Sequence, residues 1–212
     1  MSYDIIGTGS SGNAVMIGEH MMVDCGVSWK QLAPHIRDLR LVLLTHQHGD
    51  HFALRTVKKL ADEKPLLRWA CCSWMLPKLA EAGVDPYRID MIAPGQSMDY
   101  PGLAHIKPEE VPHDVPNCCW HMDINGYKIF YATDCGHLEG VTAPEYQLYM
   151  IEANHTKLDI ERRVEVKQRA GQFAYELRAA QNHLSMEQAN DWLAKNAASW
   201  SEIAYLHQHK DK

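Results

Sequence analysis

The sequence predicts an α/β fold, and two patterns carry that prediction. Up to residue 82, apolar segments typical of buried strands alternate with segments whose apolar residues recur at helical spacing. From Ile89 to Tyr131 the pattern changes to short alternating runs between Pro and Gly turns, which suits an antiparallel meander. This order indicates layers of sheet and helix, and we expect a single domain over residues 1–212.

The first predicted strands surround a glycine-rich turn. Asp4–Gly7 begins one strand and Ala14–Ile17 forms the next, joined by Gly7-Thr8-Gly9-Ser10-Ser11-Gly12-Asn13. Backbone amides in such a turn can face an anion. The turn lacks the lysine of a P-loop and no helix follows it, so a tight hairpin turn is the better interpretation. Met21–Gly26 is the third strand, whose Asp24 either caps the next segment or supports a metal site indirectly.

The remaining elements follow from the same patterns. Ser73 is a plausible N-cap, Gly83 a helix end, and Asn125-Gly126 a hairpin turn. In chain order, the other predicted elements are a helix at Ser28–Leu39, a strand at Leu41–Leu44, a helix at 52–63, a strand at Leu66–Cys72, a helix at Trp74–Ala82, a strand at Tyr149–His155, helices at Glu161–Gln181 and Met186–Ala197, and a strand at Ile203–His207.

The centre of the sequence is Thr45-His46-Gln47-His48-Gly49-Asp50-His51, on a tight strand-to-helix turn. Histidine and aspartate contribute little to packing and cost free energy when buried unpaired, so metal ligation is their natural use here. Alternate side chains of an extended segment point the same way, so His46 and His48 can bind the same ion. Asp50 and His51, past the glycine that permits the bend, turn toward a second ion. Mixed imidazole and carboxylate donors suit Zn, Mn or Fe.

Composition indicates an ordinary cytoplasmic protein. Its hydrophobic content is 46%, and it has neither an 18-residue apolar run nor a signal-peptide start, so we expect a soluble, unexported protein without a membrane partner. The six cysteines show no C-x-x-C spacing, which favours buried free thiols in a reducing compartment. A net charge of −6 argues against sequence-blind binding of long nucleic acid by the whole surface.

Several polar residues recur just past an apolar strand or in the adjoining turn. They are Asp24, His113, Asp134, His183 and His207. Side chains at such places converge on one edge of a layered sheet, so we expect a site to assemble there.

The order of these residues around the Thr-His-x-His-x-Asp-His turn resembles the metallo-β-lactamase superfamily over nearly the whole chain. The opening segment 7–13 and the Asn182-His183-Leu184-Ser185 element are similar to the small YycJ-type branch, related to ribonuclease Z and to the core of the RNase J nucleases. The resemblance implies an αββα sandwich of two mixed β-sheets flanked by helices. It also implies a metal-dependent phosphodiesterase, and a homodimer by analogy. The short interval from Asp134 to His183 leaves no room for the inserted nuclease domain of larger relatives.

The resemblance also implies a role for each matching residue. Asp24 would support the turn, Glu152 would orient a catalytic histidine, and His183 would face the scissile phosphate. Gln208 replaces the family's serine after His207, so His209 and His183 are alternative distal ligands. The implied metal ligands are His46, His48 and His113 for one ion, Asp50, His51 and His207 for the other, and Asp134 bridging both.

These roles predict a dinuclear phosphodiesterase with Zn or Mn, and Fe as a third candidate. A hydroxide shared by two ions would attack phosphorus, while Asp50 accepts its proton and His183 protonates the leaving oxygen. The expected substrate is a nucleotide, a cyclic nucleotide or a nucleic acid end. Two alternatives remain open: a thioester or lactone hydrolase of the glyoxalase II-like type, and a non-catalytic metal-dependent binding module.

Overall fold

The computed structural model describes residues 1–169, 171–172 and 180–207. Their contacts divide the chain into two compact units, Met1–Pro108 and a second from Glu109 onward. The expectation of a single domain over residues 1–212 stays a prediction. In the described ranges, none of the helices combines the length and apolarity that crossing a bilayer requires.

The first sheet has six strands in the order β1-β2-β3-β4-β5-β6. Strands β1 to β3 pair antiparallel through short turns, whereas β3 to β6 pair parallel, as expected where longer connections intervene. The sheet is therefore mixed. Its strands are β1 Tyr3–Gly7, β2 Ala14–Ile17, β3 Met21–Val23, β4 Leu41–Leu43, β5 Arg68–Cys71 and β6 Ile89–Met91.

The first unit also contains helices α1 Trp29–Leu32, α2 Leu54–Glu63 and α3 Leu76–Glu81. The apolar face of α2 buries Val57 and Leu60 in the core of this unit. Burying a side chain of this size contributes roughly 1.5–3 kcal/mol. This packing fixes the start of α2, and with it the end of the histidine-rich turn.

Proline changes two of the three predicted helices of this unit. The helix expected at Ser28–Leu39 ends at Leu32 and continues as a 3-10 turn, Ala33–His35, because Pro34 has no N–H to donate to the preceding turn. The prediction of Ser73 as an N-cap is wrong. Residues Ser73–Met75 form a 3-10 turn whose cap position is Cys72, and α3 begins only at Leu76, beside Pro77.

The second sheet also has six strands, in the order β12-β11-β10-β9-β8-β7. Strands β10 to β12 pair parallel, whereas β9 with β10 and β7 with β8 pair antiparallel, so this sheet is mixed as well. One part of the expected meander is corrected: Ile89–Met91 pairs parallel with β5 in the first sheet. The strands are β7 Met98–Tyr100, β8 Ala104–Val111, β9 Asn117–Ile124, β10 Tyr127–Ala132, β11 Leu148–Glu152 and β12 Glu202–Leu206.

In the second unit, helices α4 Lys157–Arg169 and α5 Met186–Asn196 lie wholly within the described residues. The predicted helix Glu161–Gln181 lies partly outside the described residues. Helix α5 begins with a capping box in which Ser185 accepts the Gln188 backbone N–H. Its Trp192 stacks on Phe130 of β10 with ring centroids 4.6 Å apart. Two mixed sheets with accompanying helices confirm the predicted α/β class.

Candidate functional site

The histidine-rich turn between β4 and α2 is fixed by a buried aspartate. Asp24 follows β3 and is fully buried, and its carboxylate accepts the Thr45 backbone N–H at 2.9 Å and the Thr45 hydroxyl at 2.9 Å. It also accepts the N–H of His51 Nδ1 at 2.7 Å. This contact selects the tautomer in which His51 Nε2 carries a lone pair, as a metal ligand requires.

The glycine-rich turn forms the predicted hairpin and has a second role that the sequence does not reveal. Asn13 Nδ2 lies 2.8 Å from His51 Nε2 and 3.1 Å from both the Gly9 and Asp50 carbonyl oxygens. The Gly9 N–H donates to Asn13 Oδ1 at 2.7 Å, which fixes the orientation of the amide. The Asn13 NH₂ group has two hydrogens and three possible acceptors. If a cation binds His51 Nε2, Asn13 can still donate one hydrogen to each of the two carbonyl oxygens. No residue pattern signals this contact in advance.

The imidazoles of the turn converge. His46 Nε2 lies 3.2 Å from His48 Nδ1, and the rings of His46 and His51 have centroids 4.2 Å apart. Two donors of one tetrahedral zinc ion are roughly 3.3 Å apart for bonds of about 2.0 Å. The carboxylate of Asp50 lies 3.9 Å from His51 Nε2. We call His46, His48, Asp50 and His51 the N-terminal cluster.

A second group lies at the strand ends of the other unit. Three of its residues follow parallel strands at their carboxyl ends: Asp134 lies just past β10, Glu152 ends β11, and His207 comes directly after β12. His183 precedes the N-cap of α5, and His113 follows β8. We call these five residues the C-terminal cluster.

Glu152 is the centre of this cluster. It is fully buried, and its Oε1 accepts from His183 Nδ1 at 2.6 Å and from His207 Nδ1 at 3.0 Å. Asp134 Oδ1 lies 2.5 Å from His207 Nδ1 and 3.4 Å from His183 Nδ1. One ligand atom from each of these four residues lies within 4.8 Å of the others. His113 Nδ1 donates to the Asn182 carbonyl at 3.1 Å, which directs Nε2 away from that carbonyl.

The charges of the C-terminal cluster are strongly coupled. Burial disfavours the charged form of His183, but hydrogen bonds with Asp134 and Glu152 outweigh it and raise its pKa to about 10. The same balance raises the pKa of His207 to about 9. Burial alone would raise the pKa of Glu152, yet its hydrogen bonds with the two histidines lower it. Burial lowers the pKa of His113, so this imidazole is the neutral one at pH 7.

Backbone conformation distinguishes three of these positions. Asp24, Asp134 and His207 have φ values of +60°, +54° and +51°. This left-handed region is uncommon for residues other than glycine, although Asp and His are enriched there. Strain of this kind persists where surrounding contacts determine the geometry, and it concentrates at functional sites.

The predicted site residues thus fall into two clusters within their own units. The N-terminal cluster holds four predicted ligands, and the C-terminal cluster holds His113, Asp134 and His207 together with the predicted catalytic residues Glu152 and His183. His209, an alternative distal ligand, lies outside the described residues. Neutral imidazoles and carboxylates are ligands of Zn²⁺ and Mn²⁺, so the residues of both clusters fit divalent cations.

The cysteines beside these clusters are not part of the donor set. All six are buried free thiols, as the sequence predicts. Burial, reinforced by the Glu152 carboxylate, raises the pKa of Cys135 well above its usual value. Burial beside Asp24 does the same for Cys25. Neutral thiols here act as packing groups.

A family model described as the beta-lactamase superfamily domain matches residues 20–202. The metallo-β-lactamase fold protein YhfI from Bacillus subtilis is 17% identical with a TM-score of 0.72, over 99% of this chain and 87% of its own. Human tRNase Z, short form, is 16% identical with a TM-score of 0.68, and the match covers 98% of this chain and 93% of the tRNase Z chain. A diphosphatase of the PhnP family is 13% identical with a TM-score of 0.65, and the match covers 97% of this chain and 85% of the diphosphatase chain. No curated protein matches significantly.

Proposed function

Because the chain belongs to the metallo-β-lactamase superfamily, we propose that it is a metal-dependent hydrolase of phosphodiesters. The substrate class is a nucleotide, a cyclic nucleotide or a nucleic acid end. Among the similar folds, a tRNase Z and a diphosphatase both have names that denote cleavage at phosphorus, which supports this choice.

The metal ligands in this proposal are the residues that the family resemblance implies. They are His46, His48, His113, Asp50, His51, His207 and the shared Asp134. The cofactors are two divalent ions, zinc or manganese. When bound, such ions lower the pKa of a water molecule and neutralise phosphate charge. Asp50 is partly exposed and can accept a proton while it remains a ligand.

The observation that carries the proposal is the anchoring of His183 by Glu152. The 2.6 Å contact at Nδ1 orients the ring and favours its imidazolium form, in which Nε2–H is a donor. Glu152 is not among the proposed ligands, so it retains its charge for this purpose when cations are bound. The His183 side chain is 19% exposed, which leaves the ring accessible to a substrate. A cationic donor suits a phosphodiester, whose developing charge and leaving oxygen it can stabilise and protonate.

The test compares metal content and turnover of bis-p-nitrophenyl phosphate in three variants. We expect His183→Ala to keep its metal and lose about 10²–10⁴-fold in turnover, the usual contribution of a general acid. Asp134→Ala should lose both. His105→Ala is the matched control, since His105 is an exposed imidazole with its own carboxylate partner, Asp99, at 2.6 Å; it should match the wild type.

Three results would redirect the assignment. Equal metal loss in the His183 and Asp134 variants would contradict the separate roles given to these residues. Faster hydrolysis of a thioester or lactone than of every phosphodiester would favour the glyoxalase II-like alternative. Metal-loaded protein that is inert on both classes would favour a binding module.

A further inference from the structure

Three side chains with different donor atoms meet on one face of strands β8 and β9. They are Glu109 on β8 and Cys119 and His121 on β9, and we call them the β8–β9 triad. Cys119 and His121 are two residues apart on one strand, so both point to the same face. One ligand atom from each residue lies within 4.8 Å of the others, and Glu109 Oε2 is 3.2 Å from His121 Nε2.

We propose that the β8–β9 triad binds a zinc ion of its own. Thiolate, imidazole and carboxylate are the three ligand types that zinc prefers, and the 3.2 Å separation of the Glu109 and His121 atoms matches the roughly 3.3 Å expected between tetrahedral ligands. On binding, the Cys119 thiol releases its proton to solvent. The thiolate and the Glu109 carboxylate then carry two negative charges, which balance the cation in a largely buried place.

The surroundings of His121 favour Nε2 as its ligand atom. Without an ion, His121 Nε2 donates to Glu109 Oε2 at 3.2 Å. A bound ion would take the place of that proton, and the Tyr146 hydroxyl, 3.1 Å from Nδ1, can then accept the Nδ1–H. The ring packs edge-on against Phe130 and Tyr146, with centroids 5.1 and 5.8 Å away. These contacts hold the imidazole in place before a metal arrives. The Glu109 side chain is 26% exposed, which gives an ion a way in and leaves room for a fourth ligand from solvent.

The triad is separate from the C-terminal cluster in position and in chemistry. Asn117, which opens β9, donates to the Asp134 carbonyl, whereas His121 lies four residues further along the strand. At about 3.3 Å per residue this is roughly 13 Å. The proposed hydrolytic ligands include no sulfur. A zinc ion held by the triad would link β8 to β9 as a structural site.

The test uses the full chain, stripped of metal and titrated with Co²⁺. A thiolate bound to Co²⁺ gives a near-ultraviolet charge-transfer band, which the nitrogen and oxygen ligands of the hydrolytic site do not give. We expect the band in the wild type and its loss when Zn²⁺, the tighter-binding ion, is added. Cys119→Ser should lack the band. Cys118→Ser is the matched control, since Cys118 is equally buried but points to the opposite face, and it should keep the band.

A second variant keeps the proposal testable if Cys119→Ser fails to fold. Glu109→Gln alters a partly exposed ligand and should weaken Co²⁺ binding at the sulfur site about 10-fold or more. The proposal is overturned by a wild type without the band, by a band that persists in Cys119→Ser, or by unchanged affinity in Glu109→Gln. These readouts do not involve hydrolysis, so they stand apart from the proposed function.

Discussion

Replacing Asp24 by asparagine tests how the histidine-rich turn is held. The asparagine has the same shape and tolerates the φ of +60°. Its oxygen can still accept the Thr45 N–H and hydroxyl, both at 2.9 Å in the native protein. Its NH₂ group, however, meets His51 Nδ1, which needs an acceptor in the native tautomer.

The expected result follows from that mismatch. His51 can satisfy the new donor only by moving its proton to Nε2, where Asn13 Nδ2 already stands 2.8 Å away. One charge-assisted hydrogen bond is lost and two donors face each other, so we expect the free energy of unfolding to fall by about 1.5–3 kcal/mol. The protonated Nε2 no longer offers a lone pair, so zinc affinity should fall about 10–100-fold.

Two measurements check these numbers, urea unfolding of the metal-free protein and zinc competition with a chromophoric chelator. Asp99→Asn is the matched control, since it removes a carboxylate 2.6 Å from an exposed histidine, His105, and should change stability by less than about 0.5 kcal/mol. Wild-type stability and wild-type zinc affinity in Asp24→Asn would refute the role given to Asp24. Asp24→Ala is less informative, because it removes the acceptor of the buried Thr45 and His51 N–H groups and costs roughly 2–6 kcal/mol, enough to unfold a marginal domain.

Two further predictions concern the backbone and pH. Gly26→Ala should unfold the N-terminal unit or cost more than about 3 kcal/mol, because a Cβ there would lie 1.7 Å from the Asp50 carbonyl oxygen; Gly49→Ala meets no atom within 4 Å and should leave the denaturation midpoint unchanged. The metal-free protein should lose stability to urea as pH rises from 7 to 10 and as pH falls below about 4.5. Folding raises the pKa of His207 to about 9 and that of His183 to about 10, so their contribution to the free energy of unfolding is full below pH 6.5 and is lost as pH rises through those values. Folding lowers the pKa of Glu152, so its contribution is lost as pH falls below 4.5. Stability that rises from pH 7 to 10 would contradict this coupling.

Local pattern was sufficient for most strands, because apolar runs and turn residues are encoded in neighbouring positions. The hairpin at Asn125-Gly126 is an example, with φ values of +54° and +85° that only such residues adopt readily. Pairing partners were harder to predict. Ile89–Met91 has the pattern of a short strand, but nothing in three residues indicates that β5, rather than the meander, is its neighbour.

The glycine that the histidine-rich turn requires is not the one that the sequence indicates. Gly49 lies within the histidine-rich turn, and the sequence predicts that it permits the bend, yet it has no left-handed φ and an added Cβ meets no atom within 4 Å. The requirement falls on Gly26, in a different segment, because the Asp50 carbonyl packs directly against it. A contact between distant segments leaves no periodic trace in either one. The same reason explains why the sequence does not reveal that Asn13 contacts His51.

The repeated tripeptide Asp-Cys-Gly at 24–26 and 134–136 has a structural explanation in each unit. Both aspartates lie just past a strand in the left-handed region and contact a later histidine at Nδ1, His51 at 2.7 Å and His207 at 2.5 Å. Both cysteines are fully buried packing groups.

Both glycines are approached by a backbone carbonyl that a Cβ would meet, at 1.7 Å from Asp50 for Gly26 and at 2.3 Å from Gln181 for Gly136. Each residue of the tripeptide therefore has its own role at the strand end. The aspartate contacts an imidazole, the cysteine packs in the core, and the glycine leaves space for a neighbouring segment that lies at or near another site residue. Asp50 belongs to the first such segment, and His183 follows the second by two residues. Chemistry at the aspartate and sterics at the glycine are thus linked within three positions, which is why the same three residue types occur in both units.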